Sequence, residues 1–238
     1  MDIIKTHMED LDKALGGGIP KNNTILLSGG PGCGKTILGM QYLINGIKEE
    51  NQNGIYFTYS EPEEKLITNL SLFNFFDIEM VKKERLKIID LRYLNTPDKE
   101  GKKNHSDIIE TVNVMKNIIS ETNAGRIVID TISAFYSARD EEARRDFFFH
   151  IQNVFYLLKC TPLLISDTPL SDERISPSGV EEYLSDGIIY LEQIEKNNLL
   201  IKTLKVIKMR GANPAQNRFR MDISENGIKL LPLISDNR

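Results

Sequence analysis

Eight residues, Gly29 to Thr36, read GGPGCGKT. They lie between an apolar, β-rich run, TILLSG (Thr24 to Gly29), and a stretch of helical spacing, KTILGMQYLINGIKEE (Lys35 to Glu50). A strand that turns through glycines directly into a helix is half of a βαβ unit, and such units build parallel sheets. The residues also match G-x-x-x-x-G-K-[ST], in the strand-to-helix context that the pattern requires. The glycines let successive backbone N–H groups turn toward an anion, and the helix N-terminus adds its dipole. Gly30, Pro31, Gly32, Cys33, Gly34, Lys35, Thr36 and Ile37 are therefore expected to cradle nucleotide phosphates. Lys35 would reach the β- and γ-phosphates, and the Thr36 hydroxyl would ligate Mg²⁺. Cys33 contributes its backbone; its thiol, at a helix N-terminus, leaves a redox role open.

The rest of the chain repeats the alternation. Strands are expected at GIYFTYS (Gly54 to Ser60), LKIIDL (Leu86 to Leu91), RIVID (Arg126 to Asp130) and PLLISD (Pro162 to Asp167). Between them, EEKLITNLSLFNFF sets Leu66, Leu70 and Phe73 at helical spacing, and DIIETVNVMKNIISET stripes Ile108, Val112, Met115 and Ile119. EEARRDFFFHIQNVFYLLK reads as a long helix whose Phe147, Phe148 and Phe149 enter the core, with one left exposed at a subunit contact. NTPDKEGKKNHSD reads as a surface loop. DGIIYLEQI, LLIKTLKVIKMRG and RFRMDISENGIKLLP read as closing antiparallel strands, with hairpins at Glu195-Lys196-Asn197-Asn198 and Glu225-Asn226-Gly227. The expected fold is α/β: a mainly parallel twisted sheet flanked by helices, with antiparallel C-terminal strands, in one domain over residues 1–238.

Composition narrows the partners. A net charge of −4 argues against a constitutive nucleic-acid binder. Two cysteines, Cys33 and Cys160, are too few for a disulfide scaffold and suit a reducing compartment. No apolar run approaches the roughly 20 residues of a membrane helix, so the expectation is a soluble cytoplasmic protein without a membrane partner. His7, His105 and His150 form no metal-ligand spacing.

Two carboxylates complete the candidate site. Asp130 ends RIVID, where an Asp in a phosphate-loop NTPase holds the magnesium through water; the alternative is a carboxylate capping the next turn. FTYSEPEE, Phe57 to Glu64, places glutamates at another strand end, either as a catalytic base or as a solvated turn.

LDKALGGGIPKNNTILLSGGPGCGKT resembles the opening of RecA-like ATPases of the KaiC and RadA type. GVEEYLSDGIIYL followed by LKVIKMRG is similar to KaiC domains in particular, and the resemblance runs from about Asp10 to Pro232. It implies a single-domain KaiC-like ATPase with a RecA-like phosphate-loop core, ATP and Mg²⁺ as ligands, and a homohexameric ring. KaiC-like domains carry paired glutamates at the second strand end. Here Ser60 stands at the first position and Glu61 at the second, which makes Glu61 the candidate base for the attacking water. Glu63 and Glu64 fall in a helix's first turn.

In rings of this family the residues matching Lys208 and Arg210, around Met209, reach the neighbour's γ-phosphate. Physically they would neutralise transition-state charge in trans; the alternative is an exposed hairpin with two solvated cations. Ala212 and Pro214 stand where the family has polar nucleotide contacts. Ser224 and Glu225 fall where it places residues near the base or ribose. Loops after Asp130 and Asp167 face the channel in RecA-like rings, but here they mix Arg139, Arg144, Arg145 and Arg174 with acids, which suits a nucleic-acid groove poorly. Thr131, Ser133 and Ser137 offer hydroxyls without a motif for autophosphorylation.

The resemblance thus implies an ATP hydrolase in signalling or regulation with an unidentified protein partner. The competing expectations are a DNA-handling recombinase or helicase relative, and a non-hydrolysing ATP-binding assembly module.

Overall fold

The computed structural model describes residues 2–92, 105–135, 141–168, 175–177, 179–196 and 198–233. The elements run β1 (Ile3–Ile4), α1 (Glu9–Ala14), β2 (Ile19–Pro20), β3 (Ile25–Gly29), α2 (Lys35–Glu50), β4 (Asn53–Thr58), α3 (Glu63–Leu70), α4 (Ile78–Lys82) and β5 (Leu86–Asp90). They continue as α5 (His105–Thr122), β6 (Ala124–Asp130), a 3-10 turn (Ile132–Phe135), α6 (Glu141–Leu157), β7 (Thr161–Asp167), α7 (Val180–Leu184), β8 (Gly187–Lys196), β9 (Leu199–Met209), β10 (Arg218–Ser224) and β11 (Gly227–Pro232).

Every residue of β3 is buried, because this strand lies inside a sheet covered on both faces. The strand order is β11-β10-β9-β8-β3-β7-β6-β4-β5. From β8 to β5 all neighbours pair in parallel. From β8 to β11 they pair antiparallel. The sequence grouped β8 with the closing antiparallel strands. It instead joins the parallel sheet beside β3, with Ile25 opposite Gly187 and Gly29 opposite Leu191, and turns antiparallel only toward β9.

Alternation along β3 divides the core. Ile25 and Leu27 pack with Leu38, Leu43, Ile44 and Ile47 of α2 on one face. Leu26 faces the other side, with Met115 and Ile119 of α5 and Phe147, Phe148, Ile151 and Phe155 of α6. Each such buried side chain contributes about 1.5–3 kcal/mol of transfer free energy. Phe149 is left outside, as one of the three phenylalanines was expected to be.

Three local readings change. The helix expected over EEKLITNLSLFNFF ends at Leu70, although Phe73 still packs on the core. The short elements β1, α1 and β2 carry no periodicity long enough to show in sequence. In the polar loop, 95–104 lie outside the described residues, and His105 already opens α5. The expected turns hold: Lys196 pairs with Leu199, and Ser224 with Gly227. Asn197 itself lies outside the described residues. No helix among the described residues is long and apolar enough to cross a membrane.

Candidate functional site

The carboxyl ends of β3, β4, β6 and β7 converge on one edge of the parallel sheet, where open α/β sheets bind ligands. A cleft of about 320 Å³ opens there, lined by Pro31, Gly32, Gly34, Lys35, Thr36, Ile37, Ser60, Asp130, Thr131 and Asp167. The loop before α2 needs glycine: Gly34 has φ +101°, and a Cβ there would stand 2.5 Å from Ile223 Cδ1. Tight contact between loop and β10 thus brings the β10–β11 hairpin, with Ser224 and Glu225, alongside the start of α2. Asn74 holds that hairpin, donating its N–H to the Glu225 carbonyl at 2.7 Å.

Lys35 is buried, and its ammonium meets three oxygens. Nζ donates to Gly29 O at 2.7 Å and Gly30 O at 2.8 Å, and pairs with Asp167 Oδ1 at 2.9 Å. Thr36 Oγ1 donates to Asp130 Oδ2 at 2.8 Å, and the Tyr56 hydroxyl donates to the same oxygen. Burial pushes the Asp130 carboxyl upward; the two hydroxyl donors oppose that shift, and the nearby Asp167 charge adds to it. Lys35, Thr36 and Asp130 are therefore brought together as the pattern requires.

Among the described residues no group of three or more His, Cys, Asp or Glu side chains could hold a metal alone. Thr36 and Asp130 fit Mg²⁺ nonetheless. That ion takes one or two protein oxygens and completes its shell with phosphate oxygens and water.

The turn after β4 presents Ser60 to the cleft. Glu61 is the next residue. Its Oε2 lies 3.4 Å from Lys65 Nζ and accepts from Asn69 Nδ2 at 3.5 Å. The Thr58 hydroxyl fixes the turn by donating to Glu61 O at 2.8 Å. Glu63 and Glu64 open α3, the helical position expected for them.

Lys208 and Arg210 lie elsewhere. β9 runs antiparallel to β8, so Met209 pairs with Gly187, which in turn pairs with Ile25 at the start of β3. Four residues of strand, about 13 Å, separate that level from the Gly29 end. Lys208 Nζ donates to Ser185 O at 2.6 Å and Glu182 O at 3.1 Å, which closes the carboxyl end of α7. Burial and the adjacent Arg210 charge lower its pKa. Arg210 pairs with Asp186 at 3.1 Å and remains largely exposed. The two motifs, VEEYLSDG and KMRG, are thus physically coupled within the protomer.

Cys33 donates its thiol to Gly30 O at 2.8 Å and is buried, which pushes its ionisation upward and disfavours the redox role. Arg145 pairs with Glu141 at 2.7 Å. Arg139, Ser137, Asp172, Glu173 and Arg174 lie outside the described residues. Thr131 and Ser133 bond to each other at 2.7 Å.

Two cleft residues, Thr131 and Asp167, and Tyr56, buried behind Asp130, escaped the sequence reading as site members. Asp167 had a signal, since PLLISD ends as RIVID does, in a carboxylate after an apolar strand. Tyr56 had none, because a tyrosine inside IYF reads as core.

A family model described as the KaiC ATPase matches residues 4–235. A UPF0273 protein of Thermotoga maritima is 31% identical over 234 residues, covering 96% of each chain. One from Methanocaldococcus jannaschii is 32% identical over 238 residues, covering 98% of this chain and 97% of its own. The crystal structure of a KaiC-like protein from Pyrococcus horikoshii superimposes with a TM-score of 0.82 at 26% identity, over 97% of this chain and 99% of that one.

Proposed function

The chain belongs to the KaiC family of ATPases, and from that premise we propose that it binds Mg-ATP between protomers of a ring and hydrolyses it. The observation that carries this reading is the convergence of Lys35, Thr36 and Asp130 on one cleft at the sheet's carboxyl edge. At about 320 Å³ the cleft is small for a ligand pocket. It suits the phosphates, with the base at the rim toward Ser224 and Glu225.

Each residue has a role. Backbone N–H groups from Gly30 to Gly34 and the start of α2 hold the β-phosphate, with the helix dipole behind them. Lys35 neutralises the β- and γ-phosphates. Thr36 and Asp130 would hold Mg²⁺, which would supply charge neutralisation at the phosphates. Glu61 takes a proton from the attacking water as its oxygen bonds to the γ-phosphorus and the bond to the bridging oxygen breaks. Oε2 is engaged by Lys65 and Asn69, so Oε1 is the oxygen assigned to the water.

Lys208 and Arg210 stand at the opposite end of the strands from the loop. A role at phosphate for them is a role at a neighbour's phosphate. That supports a closed head-to-tail ring, taken as a hexamer by resemblance, with nucleotide stabilising the interface by mass action. The output is signalling or regulation through nucleotide-driven assembly with a protein partner. Two free, buried thiols suit the reducing cytoplasm.

Ser60 favours a second reading. This residue lines the cleft where the resemblance expects the first glutamate, and its hydroxyl is no base. On that reading the protein is an ATP-binding assembly module without turnover. Steady-state hydrolysis of the wild type and Glu61→Gln, at concentrations where light scattering shows assembly, separates the two. Turnover that falls at least about tenfold in the variant, about 1.4 kcal/mol of barrier, with ATP binding retained, supports the enzyme. Tight binding with no turnover in either protein supports the module.

A further inference from the structure

We propose that Asp167 is a built-in competitor of phosphate, a carboxylate that holds Lys35 in the empty site and sets how strongly the cleft prefers ligands by their number of phosphates. The proposal rests on the nucleotide-binding reading of the cleft and deepens it.

The fold places Asp167 deliberately close. β3 and β7 pair in parallel with Gly29 directly opposite Asp167, and Thr168 donates its N–H to Gly29 O at 3.2 Å. The last side chain of β7 therefore leaves its strand beside the first residue of the glycine loop. Its Oδ1 stands 2.9 Å from Lys35 Nζ.

An ammonium has three donors and no acceptor. Two donate to Gly29 O and Gly30 O, and Asp167 Oδ1 stands 2.9 Å away as the ion-pair partner. For a phosphate oxygen to reach the ammonium, one of these three oxygens must give way. Two are carbonyls of the loop itself, fixed by the same backbone that forms the cradle. The third belongs to a side chain that is 52% exposed, whereas Lys35 is 8% exposed. Asp167 is the partner that can leave, and water waits on its other side.

Displacement has two costs. A charge-assisted contact is given up, and the released carboxylate stays near the incoming phosphate as a like charge. The first is met only by a ligand whose phosphates reach Lys35, and the second rises with ligand charge. Asp167 therefore weakens triphosphate binding more than diphosphate binding, and AMP least of all. It also keeps the buried lysine neutralised when no nucleotide is present, so the cleft does not carry an unpaired buried cation.

The test compares wild type with Asp167→Asn and Asp167→Ser. Dissociation constants for ATP, ADP, AMP and inorganic tripolyphosphate are measured by calorimetry at low and high KCl, with EDTA present and circular dichroism as the folding control. The expected result is ATP and tripolyphosphate bound about tenfold tighter by the variants, ADP gaining less, AMP unchanged, and the gap shrinking as salt screens the charges. Variants that bind ATP no more tightly than the wild type overturn the proposal while leaving the nucleotide reading intact. Equal gains for ATP and AMP overturn it too, because a merely structural change would not follow phosphate number. Absence of binding in all three folded proteins removes the nucleotide reading and this inference with it. Binding confined to the variants supports the competitor in its strongest form.

Discussion

The Tyr56 hydroxyl and Asp130 are joined at 2.5 Å, and Oδ2, the oxygen that accepts from Tyr56, also accepts from Thr36 at 2.8 Å. Both donors sit on one oxygen, so on the nucleotide reading proposed above Oδ1 is the oxygen that would face a metal-bound water. Tyr56 is fully buried and cannot exchange this partner for solvent. Outer partners of this kind commonly govern metal affinity by about 10–100-fold. Tyr56→Phe keeps the ring and removes the donor. The expected outcome is a magnesium requirement raised about tenfold, read from Mg²⁺-dependent tightening of a fluorescent nucleotide, with binding in EDTA unchanged. Stability should fall by about 2 kcal/mol, the size of a hydrogen bond to a charged group. A variant with the wild-type metal dependence would show that Tyr56 only packs.

Arg210 tests the ring. Its ion pair with Asp186 is exposed and contributes little to stability, so Arg210→Ala should fold. Lys208 is the poorer choice, since it also closes α7. If Arg210 acts on a neighbour's phosphate, Arg210→Ala and Lys35→Ala are each inactive, yet mixing them restores turnover. About a quarter of random head-to-tail interfaces would then join an intact loop to an intact arginine. Mixed protein that stays inactive after co-assembly would confine Arg210 to its contact with Asp186.

Local signals carried most of the fold into the sequence. TILLSG and RIVID show as strands because both faces are covered and nearly every residue is apolar. The glycine loop shows because phosphate geometry demands those residue types in that order. What stayed hidden depends on strand order. Nothing in DGIIYLEQI says that its first half pairs in parallel with β3. Asp167 and Lys35 are far apart in sequence and meet only because β7 lies next to β3. Glu61 shows the same limit. The residue type and strand end are legible, but which side chain of the turn lines the cleft is set by its backbone, and Ser60 takes that place.

The thiols give a pH dependence with a definite sign. Cys160 is fully buried, and burial pushes its pKa up to about 12. In the unfolded chain the thiol ionises near 8.5. Its contribution is fully present below about pH 8.5 and declines as pH rises toward 12, because only the unfolded state releases the proton. Chemical denaturation between pH 8 and 10.5 should show stability falling with pH, and Cys160→Ala should flatten that slope. Native protein near pH 8 should react with a thiol reagent at neither Cys33 nor Cys160 until it opens. An unchanged slope in Cys160→Ala would assign the pH dependence to other groups.

Arg126 occupies the opposite end of β6 from Asp130 and offers a way to separate stability from binding. Its guanidinium is buried, and each of its three nitrogens donates a hydrogen bond. Nε donates to Gln52 Oε1 at 2.8 Å, Nη1 to Tyr42 O at 2.9 Å and Nη2 to Lys5 O at 2.7 Å. It also pairs with Glu50 at 3.1 Å and lies 4.7 Å from the Tyr42 ring centroid. One side chain thus ties the N-terminal segment and the end of α2 to the sheet. Arg126→Met fills part of the volume but takes the donor from Tyr42 O, Lys5 O and Gln52 Oε1, and one partner from Glu50, which keeps His7 at 2.8 Å. The expected loss is about 3–5 kcal/mol, measured by urea denaturation. Pairing it with Glu50→Gln should cost less than the sum of the single changes, since the two share one network. Asp130 lies four residues on, about 13 Å along the strand, so protein that remains folded should bind ATP with unchanged affinity. An affinity loss in the folded variant would mean that the two ends of β6 communicate.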